Sequence, residues 1–208
     1  MRRYISAAIA AITVFAAVQT VSAQDASLDR IERKNTALET IEAHLNQTRT
    51  LQSGKEIVSE GTLYFSSPDR MSMIYSVPES DLFIIDGKSL YMARGKSRQL
   101  YDTEKNALMR SLSSTLLYCV RGQLRTLAQE NNAEISVEDT SAGCKVTLNA
   151  LKRSARGYSQ IVLLYDRTTS VLVRMELVEF SRIRTVYEMS DIRTDITVDE
   201  AVYSIPEL

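Results

Sequence analysis

The feature that most constrains this chain is a succession of short segments with apolar side chains at alternate positions, each cut off by a turn signal. EIVSEGTLYF (Glu56–Phe65), RMSMIYSV (Arg70–Val77), LFII (Leu82–Ile85), SLYMA (Ser89–Ala93) and RQLYD (Arg98–Asp102) come first. AEISVED, CKVTLNAL, SQIVLLYD, SVLVRMELVEF, IRTVYEMSDI and AVYSIP follow after residue 132. Alternation with period two is the mark of a half-buried strand, because successive side chains point to opposite sides. The breaks are short: Asp86-Gly87, Arg94 to Ser97, Ser141-Ala142-Gly143, Ala155-Arg156-Gly157 and Asp166 to Ser170. Strands joined so closely pair antiparallel and meander. About eleven of them exceed what a flat open sheet holds, so the sheet must curl strongly or close.

Two stretches follow a helical period instead. Between Asp25 and Asn46, Leu28, Ile31, Leu38, Ile41 and Leu45 recur at three- and four-residue steps, opposite Arg30, Glu32, Arg33, Lys34, Glu39 and Glu42. This predicts an amphipathic helix with Ser27 as its N-cap and the single histidine, His44, near its end. From Thr103 to Asn131, apolar residues at 108, 109, 112, 116, 117, 120, 124 and 127 predict a central helical segment that Gly122 divides in two. The expected class is mainly β with helices (α+β): one strongly curved antiparallel sheet covered by an N-terminal helix and central helices.

The first residues read as a cleavable export signal. Arg2 and Arg3 precede an apolar run, Tyr4 to Val18, that is short for a bilayer span, and Val21-Ser22-Ala23 supplies the small-residue cleavage pattern. The expected organisation is a signal peptide at 1–23 and one domain at 24–208, soluble and exported. Beyond the two leader arginines the chain has 23 basic against 26 acidic residues, with no basic block. Nucleic-acid binding therefore has no electrostatic footing.

Catalytic signatures are missing. One histidine cannot supply a Ser/His/Asp or Cys/His set, and no phosphate loop or HExxH occurs. No enzyme activity, cofactor or metal is expected; two distant cysteines and one histidine are too few ligands for zinc. Cys119 and Cys144 would close a loop of about 25 residues, which a bridge would stabilise by roughly 3 kcal/mol. Two free buried thiols serving as small apolar fillers fit the same spacing, which does not decide between them.

Beyond the leader there are six methionines, Met71, Met73, Met92, Met109, Met175 and Met189. Alternation puts Met71 and Met73 on one face with Tyr75 and Val77. Methionine adapts to partners of variable shape, so such a face suits flexible apolar ligands; it also suits an ordinary filled core.

GTLYFSSPDRMSMIYSVPESDLFIIDGKSLYM, Gly61 to Met92, resembles the N-terminal half of the LolA-type carriers of outer-membrane lipoproteins. The matching features are a strand led by Gly61, Pro68 opening the next strand, Pro78 ending it, and the hairpin DGKSLY from Asp86 to Tyr91. The order of helix, strands, central helices and strands is similar over essentially the whole chain after the leader. The resemblance implies an incomplete β-barrel with a helical lid over an apolar cavity for the acyl chains of lipoproteins. It implies a monomeric periplasmic carrier that takes cargo from an inner-membrane ABC transporter and delivers it to an outer-membrane acceptor. The cavity is expected to involve Leu63, Phe65, Met71, Met73, Tyr75, Ile84, Leu90, Met92, Leu163, Met175 and Leu177, and the lid Leu116, Leu117, Val120 and Leu124. Ser67 stands where the family has an arginine that contacts the lid, and Arg70 lies three positions on at the opposite parity. Two other readings remain: a periplasmic lipid- or protein-sensing regulatory domain of the same fold, and a structural exported β-protein with a solid core.

Overall fold

A computed structural model of the chain describes residues 23–154 and 156–207. The leader expected at 1–23 lies, but for Ala23, outside the described residues. Helix α1 spans Ala23–Thr36, and six strands follow: β1 Thr40–Thr50, β2 Glu56–Ser66, β3 Arg70–Val77, β4 Glu79–Asp86, β5 Ser89–Arg94 and β6 Ser97–Asp102. Helices α2 (Ala107–Val120) and α3 (Leu124–Glu130) lead to β7 Ala133–Asp139, β8 Gly143–Ala150, β9 Tyr158–Asp166, β10 Leu172–Glu179 and β11 Arg184–Thr194. A short 3-10 turn, Glu200–Tyr203, comes last.

All eleven strands form one antiparallel sheet in the order β6-β5-β4-β3-β2-β1-β11-β10-β9-β8-β7. Two meanders, β1–β6 and β7–β11, are thus joined where the first strand pairs with the last. The sheet is curved and unclosed, with β6 and β7 as its two edges. The connection from β6 to β7 must therefore cross its full width. That connection is the α2–α3 segment, and it crosses the inner face, where Leu116, Cys119, Val120, Leu124 and Leu127 join the main core.

The count of eleven strands matches the sequence reading, but its membership does not. The predicted helix from Asp25 stops at Thr36, and residues 40–50 form the central strand β1. Ile41, Ala43, Leu45 and Gln47 are buried on its inner face at period two. A four-residue step such as Ile41 to Leu45 satisfies both periods, and pairing with β2 and β11 on both sides decides between them. His44 is accordingly exposed on a strand. At the other end AVYSIP forms no strand; Ala201 to Tyr203 belong to the 3-10 turn Glu200–Tyr203 and Ser204 caps it.

A β-bulge reshapes β3. Glu60 pairs with Val77 but Gly61 with Tyr75, so Ser76 is an extra residue and parity flips beyond it. Met71, Met73 and Tyr75 keep the inner face, while Val77 turns outward and is 51% exposed. The backbone comes so close here that a Cβ on Gly61 would lie 2.2 Å from the Ile74 carbonyl oxygen. Only glycine fits.

Candidate functional site

At one end of the curved sheet, beneath the N-terminal half of α2, lies a cavity of about 440 Å³. This is within the roughly 300–1,000 Å³ typical of small-molecule sites. Its apolar wall comes from inward positions of separate strands, Met73 on β3, Phe83 on β4, Met92 on β5 and Leu177 on β10, with Leu112 and Leu116 descending from α2. Its other wall is polar: Gln47 and Arg49 from β1, Ser59, Asp81, Arg94, Glu179 and Thr185, with Tyr75, Tyr158 and Tyr187 between. A smaller hollow of about 310 Å³ shares Gln47, Arg49, Ser59, Asp81 and Arg94 and reaches the exposed Ile57 and Pro78. Another, of about 450 Å³, shares Leu112, Tyr158 and Glu179 and reaches Leu108 and Gly157. The three form one trough along the mouth. A roomier hollow of about 970 Å³ between α1 and β10–β11 is lined by charged and hydroxyl side chains together with Val171, Val173, Met189 and Ile192. It does not reach β3 or β5.

Helix α2 is graded along its length. Asn106 caps it by accepting from the Met109 amide. Leu108 is exposed, Leu112 half-buried, and Leu116, Cys119 and Val120 buried. The C-terminal half is held: the buried Tyr165 hydroxyl donates to the Cys119 carbonyl oxygen at 2.7 Å. Gly122, at φ +63°, packs against Ile31 and Asn35 of α1. Beyond it, the Arg125 guanidinium of α3 reaches Asp25, Asp29 and Glu32 of α1. The N-terminal end over the mouth is tied differently: the Asn106 amide donates to the Asp102 carbonyl at the end of β6, and Arg110 donates to the Thr103 and Glu104 carbonyls just beyond it.

The cavity's tyrosines stay protonated. Burial pushes Tyr75 and Tyr158 far up, and Tyr187 up to about 12. The Tyr75 hydroxyl donates to Gln47 Oε1, and Met73 Sδ lies 3.4 Å from that hydroxyl. Asp81 accepts from the Gly95 amide, and Glu179 Oε2 accepts from Ser181. Arg49 stands 3.7 Å from Glu179 Oε1.

Of the residues named from the sequence, Met73, Tyr75, Met92, Leu177 and Leu116 line this cavity. Leu63, Phe65, Met71, Leu90, Leu163 and Met175 face the same side but lie in the filled core beside it, as do Val120 and Leu124; Leu117 packs at that core's edge. Ile84 requires correction. It lies on the outer face with Tyr91 and Ala93, in a separate cluster to which Ile205 of the C-terminal segment packs. Arg70 also faces outward, paired with Glu200 and stacked 4.8 Å over the Tyr203 ring, so it does not replace at the lid the arginine missing at Ser67. Cys119 and Cys144 are both buried and both free, so no bridge joins them.

The sequence reading missed Phe83, Leu112, Tyr158, Tyr187 and the whole polar wall. Gln47 and Arg49 continue the parity of Ile41, Ala43 and Leu45, and would have been found had residues 40–50 been read as a strand.

The comparisons agree with this architecture. The family model described as outer membrane lipoprotein carrier protein LolA matches residues 36–206. No curated protein matches the chain in sequence. Among solved structures, an uncharacterized conserved protein from Thermus thermophilus has a TM-score of 0.50 at 9% identity, covering 88% of this chain and 93% of that one. A LolA superfamily protein from Nitrosomonas europaea has 0.44 at 8% identity, covering 89% and 99%. The MucA/MucB complex of Pseudomonas aeruginosa has 0.48 at 14%, covering 87% of this chain and 60% of that one. No described helix is long and apolar enough to cross a membrane. The half-open sheet, the helices across its inner face and a family match over most of the length lead to one conclusion: the chain belongs to the LolA family of outer-membrane lipoprotein carrier proteins.

Proposed function

We propose that this protein is a periplasmic carrier that shelters acyl chains of lipoproteins in the cavity beneath α2. In this reading it receives them from an inner-membrane ABC transporter and passes them to the outer membrane. The observation that carries the reading is the cavity itself, whose apolar wall is made by Met73, Phe83, Met92, Leu112, Leu116 and Leu177 beside the main core. Each methylene moved from water into it contributes about 0.8 kcal/mol. A single acyl chain binds a bilayer only marginally, so a cavity of this kind can compete for it. Cargo with more than one chain needs more room, which outward swing of the N-terminal half of α2 would open into the adjoining hollows.

The test is binding of a synthetic acylated lipopeptide, followed by size-exclusion chromatography and native mass spectrometry. The wild type should retain the lipopeptide. Leu112→Glu, at a half-buried position where a charge leaves the fold intact, should lose it at least tenfold, because an unpaired carboxylate in the cavity must be desolvated when the chain enters. Full retention by a folded Leu112→Glu, or no retention by the wild type, refutes the assignment.

A further inference from the structure

We infer that the same cavity also takes single-chain amphiphiles whose head is an oxyanion, a fatty-acid carboxylate or a lysophospholipid phosphate, with Arg49 and Arg94 holding the head. This rests on the reading that the apolar wall accepts an acyl chain, and it adds a ligand class that an uncharged acyl ester would not call for. A site for hydrocarbon alone needs no donors, yet Arg49, Arg94, Tyr158 and Tyr187 are among the donor-bearing side chains that line this one. Arg49 Nε is buried and has no hydrogen-bond partner among the described residues. Arg94 forms no ion pair among them, and the Tyr158 and Tyr187 hydroxyls accept or donate no hydrogen bond there either. Burial keeps both hydroxyls protonated and so available as donors.

The two acids nearby do not supply what is missing. Asp81 is buried and committed to the Gly95 amide, and Glu179 is shared between Ser181 and a loose approach to Arg49 at 3.7 Å. A buried Arg49 Nε without a partner, beside Arg94 and two tyrosine hydroxyls that make no hydrogen bond among the described residues, fits a ligand oxyanion, which accepts several charge-assisted hydrogen bonds at once. The volume, about 440 Å³, fits one chain better than several.

The chain contains no tryptophan, so an uncharged environment-sensitive dye, N-phenyl-1-naphthylamine, reports cavity occupation against a dark background. Four twelve-carbon competitors below their micelle concentrations displace it: dodecanoate, lauroyl lysophosphatidic acid, dodecyl maltoside and dodecyltrimethylammonium. Dodecanoate and the lysophosphatidic acid should compete roughly tenfold or more better than the maltoside, the size of one partly screened charge-assisted hydrogen bond. The ammonium should compete worst. Arg94→Gln, at an exposed position, should shrink the preference for anions over the maltoside to near unity, and Arg49→Gln should do the same; the ratio between the two heads within each variant is the readout. If one anion alone is favoured, the head is that carboxylate or that phosphate. Inorganic phosphate should displace no dye, since the tail is required. Equal competition by all heads, or an anion preference unchanged in Arg94→Gln, overturns the inference while leaving the acyl cavity standing. If dye and all four competitors fail to bind, the acyl cavity falls too.

Discussion

Tyr165 sits near the end of β9, the third strand in from the β7 edge, and the last turn of α2 is tied to it. A helix leaves its final carbonyls without intrahelical partners, and burial denies them water. The Cys119 carbonyl has only a long bond from the Gly122 amide, at 3.3 Å, and the Tyr165 hydroxyl adds a short one at 2.7 Å in full burial. Tyr165→Phe should therefore cost about 1–2 kcal/mol in urea unfolding and speed amide exchange in the last turn of α2. A change below a few tenths would mean that the bond contributes nothing. At Gly61 the penalty is steric, because an added methyl would enter the Ile74 backbone. Gly61→Ala should cost about 2–3 kcal/mol; an unchanged urea midpoint would disprove the close approach. Residue by residue, the candidate site was legible where one face is buried and the other wet, as at Met71, Met73 and Tyr75. It was illegible at Ile84, because Leu82-Phe83-Ile84-Ile85 is apolar on both faces. The C-terminal segment covers the outer side there, so hydrophobicity no longer reports direction. The cysteines were undecidable for a different reason. They flank Tyr165, Cys144 as its cross-strand partner and Cys119 through the hydroxyl bond, and spacing in sequence does not encode that third residue.

Among the elements, those whose period and turns agree were readable: α2 and α3 split at Gly122, and hairpins at Gly87 and Gly143. Those decided by neighbours were not. The region 38–50 carries apolar residues at spacings that helix and strand share, and only two flanking strands make it β. The bulge at Ser76 has no signature beyond Gly61 on the opposite strand. Packing between elements also relies on charge, most clearly on the outer face of β10 and β11. There Glu176 accepts from Arg184 through both oxygens and from Arg174 through one. The Arg184 hydrogen bond, ahead of the contribution from Arg174, holds the Glu176 carboxyl below its ordinary value. A depressed folded value means that the stabilisation is present above the unfolded pKa, near 4.3, and is lost as pH falls through the folded one. Glu176→Gln should thus melt below the wild type at pH 7, and the two curves should converge as pH drops below about 4. A gap in melting temperature that is the same at both pH values would show that charge is not the cause.

For the whole molecule, the decisive fact is that an eleven-stranded sheet stays open. A closed barrel would have no free edges, but it would also leave no entry beside a helical lid. Remaining open exposes unpaired backbone on β6 and β7, the kind of edge that recruits a second chain. This protein blunts both edges with charge. On β6 the outward row is Arg98, Leu100 and Asp102, so the exposed Leu100 is flanked by a charge on either side. On β7, Ile135 and Val137 face in while Glu134 and Glu138 face out, and the amide of Gln24 at the start of α1 donates to the Ile135 carbonyl. That bond removes one acceptor a foreign strand would need, and Glu134, with Glu138 paired to Lys145 of β8, lines the edge with charge that an incoming strand would have to desolvate. Replacing all three, Gln24→Ala with Glu134→Thr and Glu138→Thr, keeps the inner face unchanged and gives the outer face high β-propensity. The triple variant should elute as dimers or larger species whose share rises with concentration, against a wild type expected to elute as a monomer. Light scattering that finds the variant monomeric at the same high concentration would mean that the edge is protected by its twist and by the helices packed along it, with its charges incidental.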